Sequence, residues 1–240
     1  MTILLSLDCV SKHYGALKVA DQMSLSVQQG ETLGILGPNG AGKTTLFNLI
    51  SGDVLADSGR VLFGDEDISS LLPHQRCRKG IGRSYQIPQP YGAMTVFENC
   101  LVAATYGAGL SEKNAYPVCI DVLRQTGLLK KANQLAGSLT LLDRKRLELA
   151  RALSTQPTLL LLDEIAGGLT EHEAKELVDE IRAIKAQGMT MIWIEHVVHA
   201  LLAVADRLLV INFGQKLAEG KPADVMEDSE VRRVYMGAEI

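Results

Sequence analysis

The chain has 240 residues, 47% of them hydrophobic, and carries 24 Lys and Arg against 28 Asp and Glu for a net charge of −4. That length suits one large α/β domain, or a core with a smaller inserted lobe. Interspersed signs, with only Arg144-Lys145-Arg146 as a basic cluster, exclude a nucleic-acid footprint, and Cys9, Cys77, Cys100 and Cys119 form no CxxC pair of the kind a zinc site or disulfide framework needs.

The N-terminus, Met1 to Asp8, is apolar but lacks the basic flank and cleavage site of a signal peptide, and no apolar run is long enough to span a bilayer. Residues 3 to 9 and 22 to 28 alternate like strands, with turns at Gly15 and Gly30, which predicts an antiparallel sheet at the start. The apolar run Thr32 to Leu36 then leads into Gly37-Pro38-Asn39-Gly40-Ala41-Gly42-Lys43-Thr44-Thr45, and a helical pattern begins at Leu46. Strand, glycine-rich turn and helix in that order make a P-loop. Backbone N–H groups of the turn and the positive end of the helix cradle a polyphosphate. Lys43 adds a charge for the β- and γ-phosphates, and the Thr44 hydroxyl is placed to bind Mg²⁺.

A short strand is expected at Arg60 to Phe63. From about Thr95 to Leu153 apolar residues recur three and four apart, as in Val96-Phe97-Cys100-Leu101, which predicts a helical lobe inserted into the β/α core. The core resumes with Thr158 to Leu162, a helix from about Glu171 to Gln187, a strand at Met189 to Ile194, a helix to about Ala205 and a strand at Arg207 to Asn212. Such alternation implies a mostly parallel sheet covered on both faces. Asp224 to Ile240 reads as one short helix and a tail. Asp163-Glu164 ends a buried strand at its carboxyl end, where open α/β sheets bind ligands. There Asp163 can serve a Mg²⁺ shell and Glu164 can polarise a water.

With these motifs in hand, the chain resembles the ATP-binding cassette ATPase of membrane transporters over essentially its whole length. The resemblance implies a P-loop NTPase (RecA-like) α/β fold with an antiparallel β subdomain and an inserted helical subdomain. Residues 1–86 and 155–240 would form the nucleotide core and 87–154 the helical lobe. It further implies that Tyr14, in Lys12-His13-Tyr14-Gly15, stacks on adenine. Gln86, in Gly82-Arg83-Ser84-Tyr85-Gln86, would sense Mg²⁺ and the γ-phosphate, so that Thr44, Gln86 and Asp163 make up the metal set. Glu164 would orient water, and His196, in Trp193-Ile194-Glu195-His196, would be the switch histidine. His199, three residues on, reads as structural or surface, since no acidic or cysteine partner accompanies it.

Ile87-Pro88-Gln89-Pro90-Tyr91, Met94-Thr95-Val96-Phe97-Glu98-Asn99 and the ending Val231-Arg232-Arg233-Val234-Tyr235-Met236-Gly237 resemble the ATP-binding subunits of branched-chain (hydrophobic) amino acid importers. Tyr91, Met94 and Phe97 are then candidates for the face that receives a permease, with core packing an open alternative for Phe97. The implied partners are a second cassette, identical or different, two transmembrane permeases and, indirectly, an extracytoplasmic solute-binding protein. The implied place is the cytoplasmic face of the plasma membrane. Rival readings are a soluble cassette acting as a mechanical clamp and a regulatory cassette that binds ATP without turnover.

The chain departs from the family pattern most at one motif. Where Leu-Ser-Gly-Gly-Gln usually opens the signature helix, it has Leu139-Thr140-Leu141-Leu142-Asp143, so only the hydroxyl survives. Thr140 and Asp143 have the spacing of a reciprocal capping box. A poorly made hydrogen bond at this end costs about 1–3 kcal/mol, which predicts a weaker grip on the partner's ATP. Ile165, where proline commonly follows the glutamate, and Thr170, where many D-loops carry aspartate, are smaller departures.

Overall fold

The structure is a computed structural model that describes residues 2–236, with no side-chain description for Tyr235 and Met236. Gly237, which ends the importer-like tail, lies outside the described residues. The chain divides into two compact units, residues 1–73 with 190–240, and residues 74–189.

The first unit holds two sheets. β1 (Ile3–Tyr14) and β2 (Leu17–Gln28) pair antiparallel, and β1 also pairs with β4 (Ser58–Phe63), which carries the short β5 (Glu66–Asp67). Both long strands extend well past the predicted 3 to 9 and 22 to 28. Cys9 and Gln22 adopt left-handed φ angles of 48° and 50°, and the register shifts beside them. A bulge breaks the period-two alternation on which the prediction rested. Side chains satisfy the displaced amides: Cys9 N–H donates to Ser24 Oγ at 2.9 Å and Gln22 N–H to Ser11 Oγ at 3.0 Å.

The second sheet of this unit centres on β3 (Thr32–Leu36), every residue of which is buried. β8 (Thr190–Ile194) and β9 (Arg207–Asn212) flank β3 in parallel, and β10 (Gln215–Gly220) adds to β9 antiparallel. Unbroken apolar runs in β3 and β8 are what a sheet covered on both faces demands. β10 went unread because its residues are polar and partly exposed. It is made by a tight turn at Phe213 and Gly214, both at positive φ. Helices α1 (Lys43–Ser51), α7 (Val198–Leu202), α8 (Pro222–Glu227) and α9 (Ser229–Val231) complete the unit, so the tail holds more helix than the single segment expected.

Helix α2 (Pro73–Arg78) spans the first boundary between the units. In the second unit β6 (Ile81–Arg83) and β7 (Leu159–Asp163) pair in parallel, Arg83 opposite Leu161. The expected helical region is three helices, α3 (Val96–Val102), α4 (Glu112–Gln125) and α5 (Leu141–Ser154), and α6 (Glu171–Ala186) follows β7. Thr95 and Thr170 cap α3 and α6 in full capping boxes with Glu98 and Glu173.

Candidate functional site

In the first unit the glycine-rich turn leaves the carboxyl end of β3 and enters α1 at Lys43. Gly37 and Gly42 are required there. A Cβ on Gly37 would lie 2.3 Å from the Ile211 carbonyl oxygen, and one on Gly42, at φ 101°, would lie 2.3 Å from that of Val19. The turn is strapped to its surroundings through Gly214, whose N–H donates to the Ala41 carbonyl while its own carbonyl accepts from Asp21, both at 2.9 Å. Lys43 is almost fully buried, and its ammonium folds over the turn to donate to the Gly37 and Pro38 carbonyls at 2.7 and 3.0 Å. Thr44 is exposed at the first turn of α1 and Thr45 is half-buried, with Pro38, Asn39 and Gly40 running along the outer edge.

Tyr14 ends β1 with its ring half exposed and the Lys12 ammonium 5.8 Å from the ring centroid. Asp57 pins that strand end, accepting from Lys12 Nζ at 2.6 Å and from the His13 N–H at 2.7 Å. The Lys12 bond holds the Asp57 carboxyl below the usual carboxylate range. His196 follows β8, whose Ile194 pairs with Ile35 of β3, so the histidine and the P-loop emerge from the carboxyl ends of neighbouring strands. The buried Glu195 carboxylate supports the histidine's main chain, accepting from its N–H at 2.9 Å. His199 is exposed.

The second unit assembles the carboxylates. Asp163 is the last residue of β7, nearly buried, and Arg83 of β6 reaches its Oδ2 at 3.0 Å with a guanidinium as buried as the carboxylate. Arg83 in turn lies 4.8 Å from the centroid of the Tyr85 ring. Beyond β6, Ser84 N–H still bonds to the Leu161 carbonyl at 2.9 Å, carrying the chain alongside β7 to Gln86. Gln86 Nε2 then donates to Glu164 Oε2 at 2.5 Å. Glu164 itself sits at φ 46°, a left-handed angle that non-glycine residues seldom adopt. An open cleft of about 390 Å³ is lined here by Gln86, Ile87, Leu141, Lys145, Glu164 and Gly168, among others.

Two residues of this site escaped the sequence reading. Arg83 was quoted only as part of the stretch that leads to Gln86. Lys145 is named there only as the middle of a short basic cluster, yet its Nζ is buried and donates to the carbonyls of Gln86 and Glu164 at 2.7 and 3.3 Å. The available signal was its position: with Leu142, Leu149 and Ala152 it falls on the buried stripe of α5.

The signature region corrects one expectation. Thr140 caps α5, its Oγ1 accepting from the Asp143 N–H at 3.3 Å, but the reciprocal bond is not made. Asp143 is one methylene shorter than the glutamates of the two complete boxes. Its carboxylate instead takes the Thr140 hydroxyl at 2.9 Å, pairs with Lys131 and has Arg146 at 3.9 Å. On the neighbouring helices Phe97 packs edge-on against Tyr116 with ring centroids 5.0 Å apart, while Tyr91 stays half exposed beneath the Arg151 guanidinium.

Comparison with known proteins agrees with this geometry. The profile of the ABC transporter family matches residues 20–167, and that of the branched-chain amino acid ATP-binding cassette transporter matches residues 215–240. The chain is 34% identical to the high-affinity branched-chain amino acid transport ATP-binding protein LivG of Escherichia coli strain K12, over 98% of each chain. Identity to the lipopolysaccharide export system ATP-binding protein LptB of the same strain is 32%, over 95% of each. Among solved structures, the ADP conformation of an ATP-binding cassette of an ABC transporter superposes with a TM-score of 0.89 at 32% identity, covering 99% of this chain and 100% of that one. A nucleotide-free cassette gives 0.88 at the same identity, again over 99% and 100%. The chain therefore belongs to the ATP-binding cassette transporter family, as an ATP-hydrolysing, nucleotide-binding subunit.

Proposed function

We propose that the chain powers a membrane importer for branched-chain amino acids or related small polar solutes, working at the cytoplasmic face of the plasma membrane. No helix among the described residues is long and apolar enough to cross a membrane, so in this reading two permease subunits supply the path. A solute-binding protein outside the membrane delivers the cargo, and the solute never touches this chain. The tail that resembles the branched-chain cassettes, residues 215–240, supports the solute class.

The observation that carries the chemistry is the hydrogen bond from Gln86 to Glu164, which fixes a carboxylate beside the strand-end Asp163. In the proposed cycle Tyr14 stacks on adenine, and the main chain from Gly37 to Thr45 holds the phosphates. Lys43 turns its ammonium from the loop carbonyls to the β- and γ-phosphates. Glu164 orients the attacking water, while Gln86 and His196 sense the γ-phosphate. The residues present fit Mg²⁺, since the Thr44 hydroxyl, the Gln86 amide oxygen and the Asp163 carboxylate are hard oxygen donors. When bound, the ion's chemistry is neutralisation of phosphate charge.

Residues 1–86 and 155–240 act as the nucleotide core in this proposal and 87–154 as the helical lobe, with exposed Tyr91 and half-buried Met94 and Phe97 offered to a permease. The pairing proposed is with a second, different cassette. Affinity purification of tagged chain from gently solubilised native membranes tests the whole reading. Recovery of two hydrophobic permeases and a second cassette is expected, and purely soluble partners would overturn transport.

A further inference from the structure

Lys145 sits on the buried stripe of α5, the helix that the signature residues open, and is only 3% exposed. Burying an ammonium is costly unless strong acceptors replace its water. Among those it finds are two main-chain carbonyls from segments far apart in sequence, Gln86 at 2.7 Å and Glu164 at 3.3 Å.

Both acceptors belong to the residues that carry the proposed chemistry. The Glu164 carbonyl also accepts the Gly167 N–H at 3.2 Å, so two donors hold a peptide whose residue stands at φ 46°. An L residue does not choose that angle unless its surroundings determine it. The Gln86 side chain then meets Glu164 Oε2 at 2.5 Å. Three contacts thus close a ring, from Lys145 to the Gln86 carbonyl, from the Gln86 amide to the Glu164 carboxylate, and from the Glu164 carbonyl back to Lys145.

We propose that Lys145 is a positioning residue for hydrolysis, whose ammonium holds the Glu164 peptide in its left-handed turn and the Gln86 main chain beside it. The carboxylate is thereby presented in one orientation. Because the ammonium is carried by the signature helix, a displacement of that helix is passed to both residues at once. The inference rests on the reading of Glu164 as the water-orienting base and adds the group that keeps it in place.

The test uses this chain purified with its cassette partner, with steady-state ATP turnover and equilibrium affinity for a fluorescent ATP analogue measured in parallel. Lys145→Met keeps an unbranched side chain, one heavy atom shorter, and removes its donors. The expected result is a kcat lowered about 10- to 100-fold with nucleotide affinity within about twofold. Lys145→Arg recovers most of the loss. Adding Gln86→Ala to Lys145→Met costs less than the two single effects combined, as coupled residues require. Unchanged kcat in Lys145→Met, or a parallel collapse of affinity and kcat, overturns the proposal. If Lys145→Met does not fold, Lys145→Gln carries the same test, and unchanged kcat there overturns it equally. An active Glu164→Gln control would instead overturn the role of the glutamate itself, so the two failures are distinguishable.

Discussion

Glu164 combines a carboxylate held at 2.5 Å by Gln86 with a backbone at φ 46°. A left-handed angle strains a residue with a side chain by roughly 1–2 kcal/mol, and glycine escapes that strain. Glu164→Ala and Glu164→Gly both delete the carboxylate, so their difference isolates the backbone. The glycine variant is expected to unfold at higher denaturant than the alanine variant, by about 1–2 kcal/mol, with both inactive in ATP turnover. Equal midpoints would mean that the angle is not strained. The thiols give a second expectation at this scale. Burial pushes Cys100 up to about 12 and Cys119 up to about 11, whereas Cys9 is exposed. Since the thiolate is the reactive form, alkylation at pH 8 read by peptide mass spectrometry labels Cys9 and spares Cys100 and Cys119 until the chain unfolds. Early labelling of Cys100 would contradict the packing of α3.

At the scale of elements, three helices start on threonine and only two complete the box. The Thr95 and Thr170 N–H groups bond the Glu98 and Glu173 carboxylates, and those bonds hold both carboxyls below their ordinary value of 4.5. A carboxyl depressed on folding lends stability that is fully present above the unfolded value and is lost as pH falls through the folded one. The double change Glu98→Gln and Glu173→Gln keeps the box geometry without the charge. Its stability is therefore expected to decline less than that of the parent as pH drops below about 4.5, in urea titrations across that range. Thr170→Ala removes one cap outright and is expected to cost about 1 kcal/mol. How much was legible in the sequence follows the same physics. Thr32 to Leu36, Leu159 to Asp163 and Thr190 to Ile194 are short runs buried at every position, and they announced the core strands and the site at their ends. The extensions of β1 and β2 were hidden by bulges at Cys9 and Gln22, and β10 by its polarity. P-loop and carboxylates were readable because phosphate chemistry fixes residue type against spacing. Arg83 was not, because a cation that bonds an acid far away in sequence leaves no local pattern, and Lys145 is marked only by its place on the buried stripe of α5.

For the whole molecule the proposed pairing decides the outcome: in a head-to-tail pair of cassettes each nucleotide would lie between one chain's P-loop and the other's signature. This chain's own half retains Lys43, Asp163, Glu164 and His196. Its signature half is altered twice over. Leu141 and Leu142 stand where glycines would allow close approach, and Leu141 is 45% exposed at the first turn of α5. The remaining hydroxyl, on Thr140, donates to Asp143, which is turned inward onto Lys131 and Arg146. A homodimer would then carry the defect at both sites. A heterodimer with a standard cassette would carry it once, on the partner's P-loop, and leave a sound site on this chain's P-loop. One poorly made bond, at about 1–3 kcal/mol, separates the two sites by roughly five- to a hundredfold. In the complex isolated from membranes, Glu164→Gln is therefore expected to remove most ATP turnover, and changing the partner's corresponding glutamate to remove little. Restoring glycine at both Leu141 and Leu142 should raise the contribution of the second site, read as turnover that survives Glu164→Gln. If the partner's glutamate change does the greater damage, the sound site lies on the other chain and the asymmetry runs opposite to the one that this signature implies.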